Sequence, residues 1–567
     1  MSPSTRVPWD RRTRTSGDRP RVIVIGAGMA GMAVGCYGQM SGLETRIFES
    51  HVLPGGCCTA WAREGYLFDY CIDWLNGTAP GNEANQVWRE LGALDGKAIT
   101  RFDEINRVVA EDGRSVTFHT DPDRLQAELE ACSPADAAKI RRFCADLRRF
   151  VRLEIHPFLT PTPLMSWREK LRMLGKVLPA LGLFRRTGGT QMADFADSLS
   201  DPFLAAALRN MFYQDPRTFA LIPFHYTMAE AHKGNVGMPQ GGSLGLARSV
   251  EERYLGLGGR IDFRAKVTRV LVEDGRAVGV ELRNGERHYA DHVVAAGDVH
   301  TTVTKLLGGE YTNPRLDTLF TEVAPDPEQL YPAVVSVFVG FRGDVAADEP
   351  VSTTYLLPEE DVARLPGVLQ KSLVVHLRSR LIAGLAPEGR SLIHCTYFSD
   401  YDTWKALRST DRRAYWDLKR QLAAFIREFL ERRFPGIDER VEVVQVATPA
   451  TTERYTGNHR GSILGWKSPK ADDLVDDLIA KDRLALPGLA GFHLAGQWVG
   501  SGGLLRAAAS GRFAAQYLCR ELGVPFHAEE SRGAEPWQAG KLGDLPQLDN
   551  WTERPRAARP TARTSRT

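Results

Sequence analysis

The chain has 567 residues, of which 43% are hydrophobic and 25% charged, and its 72 basic and 70 acidic side chains leave a net charge of +2. This balance is typical of a globular protein large enough for two or three lobes, and it argues against a nucleic-acid partner bound through net positive charge. The eight cysteines are too few for a disulfide framework and none has C-x-x-C spacing, so we expect a reducing, cytoplasmic location and no metal site.

Residues 1–20 are polar and rich in arginine, without the apolar core of a secretory signal, and they predict a disordered tail. No stretch of the chain reaches the roughly 18 apolar residues that a transmembrane helix requires. The sequence therefore predicts neither an export signal nor a membrane-spanning segment.

The first strong motif lies between Arg21 and Ser50. A β-branched run, Val22 to Ile25, predicts a buried strand, and an apolar helix is predicted after it. Glycines in the spacing G-x-G-x-x-G join the two. The motif residues are Gly26, Ala27, Gly28 and Gly31.

Each part of this motif has a mechanical reason. Gly26 permits a tight strand-to-helix turn, Gly28 lets a pyrophosphate approach the backbone, and Gly31 lets the helix pack close to the strand. Glu49 ends a second predicted strand, where its carboxylate can accept hydrogen bonds from a ribose. Together these features predict a dinucleotide site at the N-terminus of the helix.

Two further patterns follow Glu49. Gly55 and Gly56 form a turn that precedes Cys57 and Cys58, and Gly65 to Asp69 reads G-Y-L-F-D, as a short strand. With the dinucleotide motif, these patterns resemble the phytoene desaturase-like flavoproteins of the wider flavin amine oxidase group, and most of all the branch of retinol saturases and carotenoid isomerases. The resemblance implies an FAD cofactor with Gly55 and Gly56 in its site. Many members have Arg after the glycine pair, and here Cys57 takes that place.

Residues 121–231 predict a helical subdomain. Within it, Pro163 to Arg186 has apolar residues at helical spacing together with six basic side chains. A basic amphipathic helix of this kind can lie on a membrane surface, or it can pack on the core of its own domain. Pro179 is expected to interrupt it.

Residues 232–305 predict the return of the chain to the cofactor domain. Asp274-Gly275 and Asn284-Gly285 are hairpin turn signals between alternating strands, and Asp291 to Ala296 predicts a buried strand. In the resembled family, the residue that matches Val267 lies beside the adenine. Core packing is the alternative role for Val267.

The last motif lies near the end of the globular region, before a tail at 524–567 that we predict to be largely disordered. A predicted strand, Phe492 to Ala495, leads into a glycine loop and then a helix from Leu504 to Leu522. This motif resembles the segment that closes the FAD site in the family. The site residues taken from it are Gly496, Gly502 and Gly503.

The predicted fold is α/β. A discontinuous Rossmann-type FAD-binding domain (residues 21–120, 232–305 and 482–523) carries a helical subdomain and a mixed α+β substrate domain at 306–481. Only one G-x-G-x-x-G motif occurs, so an external electron donor or acceptor is expected. Aromatic residues can line an apolar tunnel or simply pack in the core. These are Trp74, Phe224, Tyr226, Trp466 and Trp498.

The predicted function is an FAD-dependent oxidoreductase that acts on an apolar polyene or isoprenoid, such as a carotenoid or retinoid. Desaturation, saturation and flavin-dependent isomerisation all fit one flavin, and the missing Arg favours the last two. An amine or amino-acid oxidase on the same fold and a non-catalytic flavin-binding protein are the alternatives. No catalytic side chain can be named from the sequence.

Overall fold

A computed structural model describes residues 9–11, 17–154, 159–211, 220–318, 320, 330–467, 485–500 and 502–533. Its strands form several sheets. In chain order the strands are β1 Arg21–Ile25, β2 Glu44–Phe48, β3 Ala60–Arg63, β4 Tyr66–Asp69, β5 Leu75–Asn76, β6 Ile99–Arg101, β7 Glu104–Val109, β8 Ser115–His119, β9 Val236–Pro239, β10 Arg260–Asp262, β11 Val267–Glu273, β12 Arg276–Leu282, β13 Arg287–Tyr289, β14 His292–Ala295, β15 Ala333–Arg342, β16 Ser352–Leu356, β17 Ser372–Leu377, β18 Arg390–Ser399, β19 Val441–Ala447 and β20 Phe492–Leu494.

The helices lie between these strands, with a dense group between β8 and β9. In chain order they are α1 Met29–Met40, α2 Glu83–Glu90, α3 Pro122–Cys132, α4 Ala137–Val151, α5 Trp167–Val177, α6 Leu181–Thr187, α7 Met192–Asp197, α8 Pro202–Asn210, α9 Leu221–His232, α10 Gly242–Gly256, α11 Val299–Thr301, α12 Pro314–Thr318, α13 Glu359–Val362, α14 Arg378–Leu381, α15 Tyr401–Thr410, α16 Arg412–Arg433, α17 Pro449–Thr456 and α18 Leu504–Leu522.

A parallel sheet in the order β10-β2-β1-β14-β20 forms the base of the predicted cofactor domain. Its central strands β1 and β14 are short and mostly apolar, as is typical of parallel strands that are buried on both faces. Helix α1 packs against α18 so closely that a Cβ on Gly511 would collide with the backbone of α1 at Ala30. The fold is therefore α/β, and the first and last glycine motifs lie side by side.

An antiparallel sheet, β11-β12-β13, lies beside this domain. Gly275 and Gly285 both adopt positive φ, at 72° and 85°, and the strands on either side pair as hairpins. The two hairpin turns predicted from Asp-Gly and Asn-Gly are confirmed.

The third large sheet is mixed and has the order β19-β15-β18-β17-β16-β7-β8. Its outer pair, β7 and β8, comes from residues 104–119, within the segment 21–120 that the sequence predicts for the cofactor domain. Strand β7 pairs in parallel with β16 at Thr353 to Tyr355. Such a pairing joins segments about 250 residues apart, and no local pattern signals it.

The segment between β8 and β9 is helical, as predicted, and its apolar side chains form a separate core. Helix α5 stands apart from that core, since none of its residues is buried. A 3₁₀ turn at Leu178–Ala180 separates α5 from α6, where Pro179 was expected to interrupt the helix. Among the described residues, no helix has the length and hydropathy needed to cross a bilayer.

Parts of both tails pack on the cofactor domain, although the sequence predicted disorder. The Trp9 amide donates to His288 Nδ1 over 3.2 Å, and the Tyr289 amide donates to the carbonyl of Trp9. At the other end, Phe526 packs on the core of α1 and the His527 amide donates to Ser41 Oγ. The rest of the predicted C-terminal tail, residues 534–567, lies outside the described residues.

Candidate cofactor and active site

The predicted cofactor residues meet at the carboxyl ends of the parallel strands. Gly26 follows β1 with φ of 100°, a left-handed conformation that favours glycine, and its amide donates to the carbonyl of Phe48 over 2.8 Å. A Cβ on Gly31 would collide with the carbonyl of Gly26. The turn is therefore built around close contact between strand and helix, the role expected of these two glycines.

Gly28 lacks a side chain for a different reason. It is the N-cap of α1 with φ −68° and ψ 173°, a conformation open to any residue. A Cβ placed on it would meet no protein atom within 4 Å, so the space above it is open. The missing Cβ thus leaves room for a ligand at the helix N-terminus, where amides and the helix dipole favour phosphate.

Glu49 is buried at the end of β2 and anchors the same turn. Its Oε2 accepts a hydrogen bond from the Ala27 amide at 2.7 Å, and its Oε1 accepts one from the His51 amide at 2.7 Å. Burial raises the pKa of this carboxyl above its ordinary value, and the amide hydrogen bonds oppose the rise. Oε1 also accepts from Ser50 Oγ at 3.2 Å, whereas Oε2 keeps a further lone pair that a ribose hydroxyl can use.

The loop after Glu49 folds back onto the first glycine turn. The Gly55 amide donates to the carbonyl of Ala27 over 2.8 Å. A Cβ on Gly56 would lie 3.5 Å from the Cα of Gly28. The glycine pair therefore forms one wall of the open space above Gly28.

Cys57 continues the loop into the interior. Its Sγ accepts a hydrogen bond from Asn458 Nδ2 at 3.4 Å, which links the cofactor domain to the segment after α17. Burial raises the pKa of the Cys57 thiol to about 12, so it is protonated at neutral pH.

Val267 begins β11, and its side chain packs in a core with Ile23 and Phe48. Just before it, the Ala265 amide donates to the carbonyl of Glu49 over 2.7 Å. Val267 therefore lies two residues after Ala265, whose amide holds the backbone of Glu49. Its side chain has the core-packing role that was the alternative.

The C-terminal glycine loop is the last part of the predicted cofactor site. The Gly496 amide donates to Ser510 Oγ over 2.8 Å, and a Cβ on Gly502 would collide with the carbonyl of Leu464. Gly503 is the N-cap of α18, and a Cβ there would meet no protein atom within 4 Å. A second helix N-terminus with open space above it therefore belongs to the same region.

Arg506, in the first turn of α18, was not identified from the sequence. Burial lowers the pKa of its guanidinium, whereas the nearby hydroxyls of Tyr226 and Tyr331 raise it. Part of the Arg506 side chain nevertheless remains accessible, as expected for a group that faces an internal space. The sequence did contain a signal for Arg506. A basic residue is unfavourable at a helix N-terminus, and residues that break such local preferences often mark functional sites.

Asp298 is a second residue that the sequence analysis missed. It follows β14, caps α11 by accepting from the His300 and Thr301 amides, and has its pKa raised to about 6 by burial. His300 stacks on His459 with 4.1 Å between ring centroids, and burial lowers the pKa of His459 to about 4. The position of an acid directly after a central strand was a usable signal for this cluster.

The aromatic residues proposed as tunnel walls fall into two groups. Phe224 is fully buried in the helical core, while Trp466 and Trp498 are buried against each other with 5.2 Å between ring centroids. These three are packing residues. Tyr226 lies beside Arg506, and Trp74 lines a cavity of about 420 Å³.

A larger cavity of about 910 Å³ lies between the helical subdomain and the mixed sheet. Its walls include Leu330, Tyr331 and Phe398. Four basic residues, Arg209, Lys371, Arg460 and Lys467, and two acidic residues, Asp197 and Asp400, also line it. Tyr331, in the wall of the cavity, also lies near Arg506 in the first turn of α18. Its volume is within the range of small-molecule sites.

The parallel sheet, the two open helix N-termini and the anchored carboxylate define a dinucleotide-binding domain. The sequence model of the family "Flavin containing amine oxidoreductase" matches residues 29–519, and the chain belongs to this family. It is therefore a flavin-dependent oxidoreductase.

Known relatives cover most of the chain. Prolycopene isomerase 2 of an Oncidium hybrid cultivar is 26% identical over 460 residues, which are 78% of this chain and 74% of the relative. All-trans-retinol 13,14-reductase of Danio rerio is 23% identical over 482 residues, with 78% and 77% covered. The solved structure of an oxidoreductase from Methanosarcina mazei superposes with a TM-score of 0.53 at 17% identity, covering 88% of this chain and all of that one, and it supports the fold.

Proposed function

We propose that the protein binds FAD and catalyses a redox or isomerisation reaction on an apolar polyene or isoprenoid. The observation that carries this proposal is the similarity over 78% of the chain to enzymes named for a carotenoid and a retinoid. A match over 78% of the chain is longer than the predicted cofactor domain alone, so the likeness extends beyond the cofactor site.

FAD fits the space at the carboxyl ends of the strands. Gly28 and Gly56 leave room for the pyrophosphate, Glu49 accepts from the ribose, and the open N-terminus at Gly503 faces the other end of the same space. When bound, the flavin exchanges an electron pair with a substrate or an external partner. The protein's part is to orient the two molecules and to exclude water.

The cavity lined by Tyr331 is the proposed substrate site. Its charged groups favour a neutral molecule over an amine. Its lining has four basic and two acidic side chains, so a protonated amine would meet a net positive charge, which disfavours binding. This argues against the amine oxidase alternative.

Arg506 also bears on the direction of the reaction. The positive charge that many relatives of the resembled family carry after the glycine pair is missing at Cys57, and Arg506 places a buried cation on another element. A buried cation stabilises negative charge that develops nearby. We propose that it stabilises the reduced form of the flavin, which saturation and isomerisation both require.

We further propose that α5 and α6 rest on a membrane surface, from which an apolar substrate can be taken. A row of large apolar side chains along this segment is 49–67% exposed to solvent, and its spacing is that of one helix face. These residues are Trp167, Leu171, Leu174, Leu178 and Leu181. Arg168, Lys170, Arg172 and Arg185 add positive charge that anionic lipids attract.

Anaerobic incubation of the flavin-loaded full-length chain tests the function. Cis and all-trans polyenes and their dihydro forms are offered with oxidised or chemically reduced flavin, and products are resolved by mass and by isomer. We expect a product that differs by two hydrogens or by double-bond geometry. Hydrogen peroxide released from amines in air would instead support the oxidase, and no turnover with any substrate would support a non-catalytic flavoprotein.

A further inference from the structure

Two buried imidazoles and a carboxylate meet at the amino end of the parallel sheet. His292 begins β14, His493 lies in the neighbouring strand β20, and Glu521 lies in the last turn of α18. One ligand atom from each of the three side chains lies within 4.8 Å of the others. His292 and His493 are about 200 residues apart in the chain, so no sequence spacing could reveal this cluster.

The register explains why the three side chains converge. In the parallel pairing of β14 with β20, Val294 is opposite His493. His292 and Val294 point to one face of the sheet because side chains alternate along a strand. The two histidines are therefore diagonal neighbours on the same face, with 6.1 Å between ring centroids.

The imidazole nitrogens are short of partners. His493 Nε2 lies 3.1 Å from Glu521 Oε2, and His292 Nδ1 lies 3.8 Å from the same oxygen. Within the described residues, that Nδ1 of His292 is buried without a hydrogen-bond partner, and so is the second ring nitrogen of His493, its Nδ1. A buried nitrogen without a partner is costly, and a bound cation is one of the ways to satisfy its lone pair.

We propose that His292, His493 and Glu521 bind a divalent transition-metal ion, with zinc as the best fit. Two imidazole nitrogens and one carboxylate oxygen are a known zinc ligand set, and water can complete the tetrahedron. Tetrahedral ligands at 2.0–2.1 Å from zinc are about 3.3 Å apart. The two measured separations from Glu521 bracket that value.

The electrostatic surroundings allow the ion. A positive charge near the site is Arg276, whose guanidinium donates to the carbonyl of Asp291 over 3.0 Å. The carboxylates of Asp291 and Glu521 offset it. The Glu521 side chain is 44% exposed and gives the ion access from solvent.

The ion would be structural. The cofactor space is at the carboxyl ends of these strands and at the N-terminus of α18, whereas Glu521 is at the far end of that 19-residue helix, roughly 25 Å away. Metal binding would tie the last strand and last helix of the cofactor domain to β14. It would raise thermal stability without entering the flavin reaction.

Zinc chloride titrated into the full-length, chelator-treated protein tests the proposal by calorimetry, with X-ray absorption at the zinc edge to identify the ligands. We expect one tight site, a first shell of nitrogen and oxygen near 2.0–2.1 Å, and an increase in Tm on adding zinc. Glu521→Gln is a nearly isosteric change at an accessible position. It should weaken binding at least tenfold and remove most of the Tm increase.

Glu286→Gln is the matched control, because Glu286 lies 3.7 Å from the buried imidazole of His288 without a second histidine in a comparable cluster. It should bind zinc as the unchanged protein does. His493→Gln is a second variant that should weaken zinc binding. If it proves unstable, the zinc affinity of Glu521→Gln alone tests the proposal. Equal zinc affinity in Glu521→Gln and wild type, a sulfur shell from cysteine, or no tight site would each overturn the proposal.

Discussion

The amide of Gly55 donates a hydrogen bond to the carbonyl of Ala27 over 2.8 Å. This bond joins the loop after Glu49 to the turn that precedes α1, and it places Gly56 against Gly28. Two motifs that are separate in the sequence therefore enclose one space. A side chain at either glycine would project into that space or press on its wall.

Replacing Gly28 with Val should abolish flavin binding while leaving the fold intact. The backbone of Gly28 suits any residue, and the new side chain would enter open space where the pyrophosphate is proposed to lie. Gly256→Val is the control, since a Cβ on Gly256 also meets no protein atom within 4 Å, and it lies at the end of α10. Flavin content per chain and circular dichroism measure the outcome; a fully flavin-loaded Gly28→Val would contradict the proposed site.

Replacing Arg506 with Gln should lower the midpoint potential of the bound flavin. The buried guanidinium stabilises negative charge on the reduced form, and each 1.4 kcal/mol lost corresponds to about 30 mV for a two-electron couple. Arg520→Gln, an exposed position in the last turn of the same helix, should leave the potential unchanged. Spectroscopic titration with redox dyes makes the measurement, and an unaltered potential in Arg506→Gln would remove this role.

Replacing Leu174 with Glu should release the protein from anionic liposomes. The change puts a negative charge in the middle of the exposed apolar row, which both removes apolar contact and repels anionic lipid. Leu255→Glu is a matched control, because Leu255 is 47% exposed on α10, compared with 50% for Leu174. In flotation assays the unchanged protein and the control should float at low salt and less at high salt. Equal flotation of all three proteins would argue against α5 as the contact.

Acidification should destabilise the protein partly through His376. Burial lowers its folded-state pKa to about 4 from 6.5, so the unfolded chain binds more protons between these values. Stability is therefore lost as pH falls from 6.5 to 4, by about 2 kcal/mol at pH 5 for this residue. Asp69 and Asp298 have pKa values raised to about 6, so they stabilise the folded state as pH falls. This opposite contribution is the same in wild type and in each variant.

Urea unfolding of His376→Asn at pH 7 and pH 5 measures this contribution. Between pH 7 and pH 5, the free energy of unfolding of the variant should fall by about 2 kcal/mol less than that of the wild type. His232→Asn, at a partly exposed position on α9, should behave as wild type. An identical pH dependence in His376→Asn and wild type would show that the imidazole is not the cause.

Local patterns predicted most elements of the cofactor domain. The helix expected from Leu504 to Leu522 has those limits, and β1 begins at Arg21, one residue before its expected start. These segments succeed because strand, turn and helix preferences agree with the tertiary fold. The positive φ of Gly26 and the close contact at Gly31 follow from the same agreement.

Features that depend on distant pairing could not be predicted. Strand β7 pairs in parallel with β16, and His292 lies beside His493, only because of the sheet topology. The local sequence around each of these residues is ordinary. Arg506 differs, because its unfavourable place at a helix start was visible in the sequence. Only the surrounding Tyr226 and Tyr331 show that it faces an internal space.

The strand order of the parallel sheet has a consequence during synthesis. Strand β14 lies between β1 and β20, so the sheet uses residues from Arg21 to Leu494. The ribosome must therefore release nearly the whole chain before the last strand and its helix can dock. Until then the early strands present unpaired, apolar edges, a state prone to aggregation. Flavin capture is expected to be a late, post-translational event, and expression at low temperature or with added chaperones should increase the flavin-loaded fraction.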